Sequence, residues 1–365
     1  MPAIKNDKGE LSMSFLRILD RIDNSNIEES GLLGGHVGLS IFYYHVFRYN
    51  KKSKYKKKAL FHLDEAINTF DKGRAPISYA EGISGIIWGI KYLNKLGLNI
   101  DVSETLDEET REFLINHSIY LFEADQFDFL YGGIGIALAL FELDDIKVDY
   151  REKVIFESIR IAEKFTKEES EELTDLGLSH GFSSLLAFIS SQIEISDSKS
   201  ITKLNSLSDW LVHKADLSGK VCFPNFASEQ SPYKSRLAWC YGDLGIAFTL
   251  LQVGKKINNE SLINRSLEVL KKSCERISQD ETNISDPFFC HGSVGAYHLY
   301  NKIFLDTNDT IFSKSSNYWL DETLKLVNCN DYQNMGLLDG LSGVGLMFLE
   351  ILSEEKMNWD SSLLL

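Results

Sequence analysis

A pair of glycines three residues apart recurs along this chain, and each time it opens an apolar run such as "GHVGLSIFYY", "GISGIIWGIKYL" or "GLSGVGLMFLEIL". The first glycines are Gly35, Gly82, Gly132, Gly181, Gly242, Gly292 and Gly340, and only the Gly181 copy replaces the second glycine, by Ser184. The period is about fifty residues, the mark of a repeat architecture. One step, from Gly181 to Gly242, is longer by roughly a dozen residues and contains "LSGKVCFPNFASEQSPYKS". Between the glycine runs lie segments of another kind, among them "YKKKALFHLDEAINTF" and "ESLINRSLEVLKKSCERI", with apolar residues at helical spacing and charges on the opposite face. Each repeat therefore reads as an amphipathic outer helix, a loop, a glycine turn, and a helix apolar nearly all round. A helix of that last kind needs burial on every side. Seven of them inside a ring of seven amphipathic helices satisfy both classes, which predicts an all-α fold, a closed α/α toroid. An open solenoid uses the same repeat but needs polar caps at its ends, and the last repeat looks interior. The whole chain, 1–365, is expected to form one toroid, with an N-terminal helix at about 10–30 packed on it. The glycines themselves have a structural role, in admitting positive φ and letting backbones pass closely.

Composition excludes several classes. With a formal net charge of −15, the chain lacks the basic face that nucleic acid calls for. The lysine run "KKSKYKKK", from Lys51 to Lys58, reads as the solvated face of an outer helix, with docking of an acidic peptide or protein as the alternative. No apolar stretch approaches the ~18 residues that span a bilayer, and the polar N-terminus does not resemble a signal peptide. Five cysteines, odd in number and widely scattered, do not form a disulfide framework. A reducing cytoplasm is the better expectation, and there thiolates are free to bind metal.

In a toroid the glycine turns share one end, so side chains at a fixed short distance before the first glycine face one mouth. Cys240 stands two residues before Gly242 and Cys290 two before Gly292. His291 stands one before Gly292 and His180 one before Gly181. Two sulfurs and one imidazole nitrogen, from Cys240, Cys290 and His291, suit Zn²⁺ with a coordination position left open, as in catalytic sites. Each of them alone reads as a buried small hydrophobe or a hydrogen-bonded turn residue; the shared register is what favours the metal. Cys222, Cys274 and Cys329 lack that register and read as structural. His180 suits a fourth ligand, a core histidine or an acid/base group, since its ordinary pKa lies near neutrality. Asp128, four residues before Gly132, and Arg236, six before Gly242, reach the same rim. They could pair with each other, as an ordinary interior ion pair, or position His180 and a substrate.

The motifs "RLAWCYGDLG", "CHGSVG" and "LGLSHG", set in seven glycine repeats, resemble those of the lanthionine synthetase C family, the lantibiotic cyclases. The resemblance runs from about Gly31 to the last repeat. It implies an α/α toroid with one zinc at its mouth, held by Cys240, Cys290 and His291, and an active site of His180, Asp128 and Arg236. It implies addition of a peptide cysteine to a dehydrated serine or threonine of the same peptide, closing a thioether ring. The implied substrate is a dehydrated precursor peptide, a leader followed by a core rich in Ser, Thr and Cys. A dehydratase and an exporter are the implied partners, with membrane association through that complex. Some members carry a small SH2-like insertion, for which the even spacing here leaves no room. Two rivals stand beside the cyclase reading: another zinc enzyme that alkylates thiols on a toroid, and a non-catalytic zinc-bearing scaffold that binds thiols or peptides.

Overall fold

The computed structural model describes residues 8–71, 73, 75–102, 106–167, 174–228 and 235–365. In chain order the helices alternate between an outer and an inner ring. They are α1 (Lys8–Asp23, outer), α2 (His36–Asn50, inner), α3 (Ser53–Asp71, outer), α4 (Ile83–Lys95, inner), α5 (Glu108–Glu123, outer) and α6 (Gly133–Phe141, inner). Then follow α7 (Val148–Phe165, outer), α8 (Phe182–Gln192, inner), α9 (Ser198–Val212, outer), α10 (Asp243–Lys256, inner) and α11 (Glu260–Ser273, outer). A short α12 (Gln279–Thr282) precedes α13 (Ser293–Thr307, inner), α14 (Thr310–Cys329, outer) and α15 (Leu341–Ser353, inner). The burial pattern follows the sequence. Helix α2 buries every residue from His36 to Val46, whereas α11 buries only Leu262, Ser266, Val269, Leu270 and Ser273, one helical stripe. The ring closes where α15 packs on α2 and α1 lies against α14 and α15. The first helix is shorter than expected: it ends at Asp23, and the chain then turns toward Gly35. In the lysine run, Lys51, Lys52, Lys54 and Lys57 are exposed, and Lys58 pairs with Asp23 at 2.7 Å. No helix among the described residues is long and apolar enough to cross a membrane.

All seven first glycines are the N-caps of inner helices. Positive φ explains only one of them, Gly242 at 82°; the other six are extended, so the expectation that they need the left-handed region does not hold. Close approach is the reason. A Cβ on Gly82 would stand 1.9 Å from the Pro76 carbonyl oxygen, and one on Gly85, the second glycine, 2.2 Å from that of Tyr79. The turn wraps its own backbone under the helix start, and the Ile83 N–H then donates to the Pro76 carbonyl at 2.9 Å. One of the donors that a helix N-terminus leaves over is satisfied in this way without a capping side chain.

The turns are stitched to each other by the residue two before the first glycine. Its N–H donates to the carbonyl of the matching residue in the next turn: Leu33 to Ala80 at 3.0 Å, Ala80 to Leu130 at 3.0 Å, Cys240 to Cys290 at 3.4 Å. The series continues from Cys290 to Leu338 at 3.1 Å and from Leu338 back to Leu33 at 3.0 Å. One residue deeper, Tyr79, Phe129, Trp239 and Phe289 form an aromatic floor, with Phe129 and Trp239 centroids 6.3 Å apart. The C-terminal 3-10 helix Trp359–Leu363 fills the space around it. Trp359 packs edge-on against Phe289 at 5.1 Å, and the Trp239 indole donates to the Leu363 carbonyl at 3.2 Å.

A Gly85→Ala variant tests the steric account. Alanine normally stabilises a helix interior by about 1 kcal/mol over glycine. Here the added methyl meets a backbone oxygen that no rotamer change can move, so a net loss of about 1–3 kcal/mol is expected. Urea unfolding with a lowered midpoint and an unchanged slope checks it; a raised midpoint refutes it.

Candidate metal centre and active site

At the mouth the turns enclose one cavity of about 1010 Å³. Residues one and two before the first glycine line it in all seven repeats, so the register read from the sequence is physical. The donor atoms of Cys240, Cys290 and His291 all lie within 4.8 Å of one another. Zinc with sulfur at ~2.3 Å and nitrogen at ~2.0 Å spans such a triangle. The donors also shift one another's affinity for protons. The Cys240 thiol is drawn down to about 6, first by the Cys290 S–H and then by His291, while Cys290 is pushed well up by the thiolate beside it. Three groups sharing protons at this spacing, with Cys240 only 4% exposed, fit a soft divalent cation that replaces those protons. Beside them Asp339 Oδ1 is buried and has no hydrogen-bond partner among the described residues, although it lies 3.8 Å from His291 Nδ1.

Two carboxylates flank the His291 ring, Asp339 on one side and Asp286 Oδ2, 3.5 Å from Nε2, on the other. His180 stands apart from this donor set. Its Nδ1 is 2.7 Å from Asp128 Oδ2, which favours the charged imidazole and raises its pKa against the opposing effect of burial. Asp128 is therefore partnered by His180 and not by Arg236. Its other oxygen, Oδ1, accepts the N–H groups of Leu130 and Tyr131 at 2.7 and 2.8 Å. The Leu130 N–H is the one that the ring of turns would otherwise send to Ser179, so the carboxylate stands in the break between the third and fourth turns. Because the loop already fixes Oδ1, Oδ2 has little freedom. The Tyr131 ring lies nearly parallel to His180 at 6.2 Å, and the Tyr241 ring is tilted to it at 6.4 Å.

Arg236 is exposed on the cavity wall and makes no ion pair with any described residue. Its loop is braced from behind by the fully buried pair Arg276–Asp243, at 3.0 Å. Arg276 also donates to the Ser235 carbonyl at 2.6 Å, and Asp243 accepts the N–H groups of Cys222 and Phe223. The longer step thus brings Asn225 and Phe226 to the cavity, which no periodic signal foretold. Tyr131, Tyr241 and Asp339 were also missed, though each occupies the position one before the glycine that His180 and His291 share. Of the cysteines outside the centre, Cys222 and Cys274 are held protonated by burial, with pKa values pushed up to about 12 and about 11. Cys329 is exposed at the end of α14, so the structural reading does not extend to it.

Residues 26–364 match the family model described as "Lanthionine synthetase C-like protein". The structure superposes on nisin cyclase with a TM-score of 0.76 at 18% identity, covering 98% of this chain and 97% of that one. That likeness shows a shared toroid fold. Cellobiose 2-epimerase from Bacillus thermoamylovorans B4167 aligns with a TM-score of 0.43 at 10% identity, over 94% of this chain and 100% of that one. No curated protein sequence matches significantly.

The contact between Asp128 and His180 has a pH signature. A histidine whose folded pKa is raised above 6.5 contributes stability that is full below that value and fades as pH climbs through the folded one. In Asp128→Asn the Oδ1 acceptor for the loop remains and the charge is lost. The His180 pKa should fall in an NMR titration, and the difference in Tm from the parent chain should shrink as pH rises above 6.5. An unmoved His180 titration would show that the hydrogen bond does not set its charge.

Proposed function

Because this chain belongs to the lanthionine synthetase C-like family, we propose that it is a zinc-dependent lanthipeptide cyclase. It joins peptide cysteine thiols to dehydroalanine or dehydrobutyrine of the same peptide, giving lanthionine or methyllanthionine rings. One observation carries the reading: a two-sulfur, one-imidazole donor set and a separate histidine–aspartate pair face the same cavity from neighbouring turns. The donor residues Cys240, Cys290 and His291 would hold the metal. A zinc ion bound there supplies the Lewis acidity that strips the proton from a coordinating thiol near neutral pH.

The remaining steps belong to the chain's own residues. The peptide thiolate adds to the β-carbon of the dehydro residue, forming the carbon–sulfur bond. The π electrons move into an enolate, and a proton is then delivered to the α-carbon. No atoms leave. His180 is the donor for that proton, because Asp128 occupies Nδ1 and leaves Nε2 as the nitrogen that exchanges with substrate. Arg236, cationic and unpaired by any described residue, stabilises the enolate oxygen as charge develops there. The rings of Tyr131 and Tyr241, both beside the imidazole, keep it in place.

The substrate is a dehydrated precursor peptide, a leader followed by a core with Ser, Thr and Cys. A dehydratase must act before this enzyme and an exporter after it, which places the chain in the cytoplasm with any membrane association made through those partners. We read the chain as one toroidal domain, with no inserted module among the described residues, so the leader is held by the toroid or by a partner.

Two experiments test the assignment. Elemental analysis of Cys240→Ala and Cys290→Ala should show zinc lost, with Cys274→Ala retaining one per chain; full zinc in both ligand variants rules out the site. Far-UV circular dichroism of the chelated protein should stay helical, since a core of this size does not depend on one ion. His180→Asn should keep its zinc and close rings roughly 10²–10⁴-fold more slowly. The readout is loss of alkylatable cysteine in a dehydrated peptide, since ring closure leaves the mass unchanged. Zinc loss in that variant would make His180 a ligand, and unchanged closure would remove it from the mechanism.

A further inference from the structure

Of the three donor residues, only His291 has two different atoms to offer, and a neutral imidazole presents one acceptor nitrogen and one N–H. Which nitrogen faces the sulfurs can be read from its neighbours. Asp339 lies 3.8 Å from Nδ1. With Nε2 turned to Asp286, Nδ1 is the nitrogen left to face a metal ion. Nε2 points the other way, toward Asp286 Oδ2 at 3.5 Å.

Asp286 is held rigidly. Its Oδ1 accepts the Phe288 N–H at 2.9 Å, and its carbonyl accepts the Ser293 N–H, at the first turn of α13, at 3.0 Å. Its side chain is 17% exposed and has no lysine or arginine partner among the described residues. The turn that delivers Cys290 and His291 therefore also aims Oδ2 at the imidazole. The same register position in the fourth turn is Asp175, and there the spare oxygen is taken by the Tyr241 hydroxyl at 2.5 Å. In the sixth turn the one ion-pair partner of the spare oxygen among the described residues is the histidine.

We infer that Asp286 is a positioning residue for the metal centre, holding the proton on Nε2 of His291 so that the Nδ1 lone pair is free for the ion. This rests on the zinc reading given above and adds to it the nitrogen used and the carboxylate that selects it. Outer partners of this kind typically change metal affinity by about 10- to 100-fold.

Asp286→Asn is a sharp test because asparagine keeps the Oδ1 acceptor for Phe288 and turns an NH₂ toward the ring. That NH₂ favours a lone pair on Nε2 and a proton on Nδ1, the wrong tautomer for Nδ1 ligation. Metal-free full-length chains are titrated with zinc against a chromophoric chelator, and ¹H–¹⁵N long-range spectra of the zinc-loaded parent chain locate the His291 proton. The expected results are zinc binding weakened about 10- to 100-fold in the variant, an unchanged circular dichroism spectrum, and the proton on Nε2 in the parent. A proton on Nδ1 of the zinc-loaded parent overturns the inference even if the variant fails to fold. Parent-like zinc affinity in a folded variant overturns it as well. A parent chain that takes up no zinc defeats the metal reading itself, which is a separate result.

Discussion

The molecule depends on carbonyl oxygens tucked beneath glycines. In each repeat the loop before an inner helix passes so close to the helix start that a methyl on the first glycine would collide with backbone, and in six of the seven the second glycine is blocked as well, as at Gly82 and Gly85. That contact fixes the height and direction of every turn relative to its helix. Once seven turns are fixed alike, their backbones can hydrogen-bond around the mouth, and the two residues before each first glycine are held over one cavity. The chemistry at the mouth therefore rests on steric exclusion and not on any strong local interaction of the polar groups themselves. Two thiols and an imidazole come within reach of one ion because their turns leave them no other place.

The hydrogen-bonded ring is also informative where it fails. Between the third and fourth turns the Leu130 N–H goes to Asp128 instead of onward to the next turn. A backbone link is exchanged there for a carboxylate whose second oxygen is available to His180. A side chain has been substituted into the scaffold at the point where His180 stands, so its orientation comes from the scaffold. A half-buried carboxylate is well defined when both its oxygens are engaged, as those of Asp128 are.

Much of this was legible in the sequence, for a physical reason. A repeat in which each loop is held by the same glycine contact converts an offset in number into a position in space, so Cys240 and Cys290 could be recognised as neighbours although their turns are fifty residues apart. The offset does not say which polar groups pair across turns. Asp128 and Arg236 were equally good partners on paper, and only the 2.7 Å contact across the third and fourth turns gives Asp128 to His180. Tyr131, Tyr241 and Asp339 went unremarked because tyrosine and aspartate are common surface residues, and only the cavity shows what the shared position means. Asn225 and Phe226 come from the one irregular step, where there is no period to reason from. The glycines were recognised for the right positions but partly for the wrong cause, since extended φ and a blocked Cβ look the same in sequence as a left-handed turn.

The aromatic floor has a consequence for how the protein is made. Asp128, His180, Arg236, Cys240, Cys290 and His291 have all been synthesised before α15 begins at Leu341. Yet α15 is the wedge that joins α13 to α2, and the segment Trp359–Leu363 supplies the carbonyl that anchors the Trp239 indole directly beneath Cys240. A chain still emerging from the ribosome thus carries the whole reactive inventory without the wall that confines it. Its thiols stay as open to oxidants and stray metal ions as those of any unfolded peptide. For a protein built this way, the interval between the last cysteine of the centre and the final helix is the time of greatest chemical exposure.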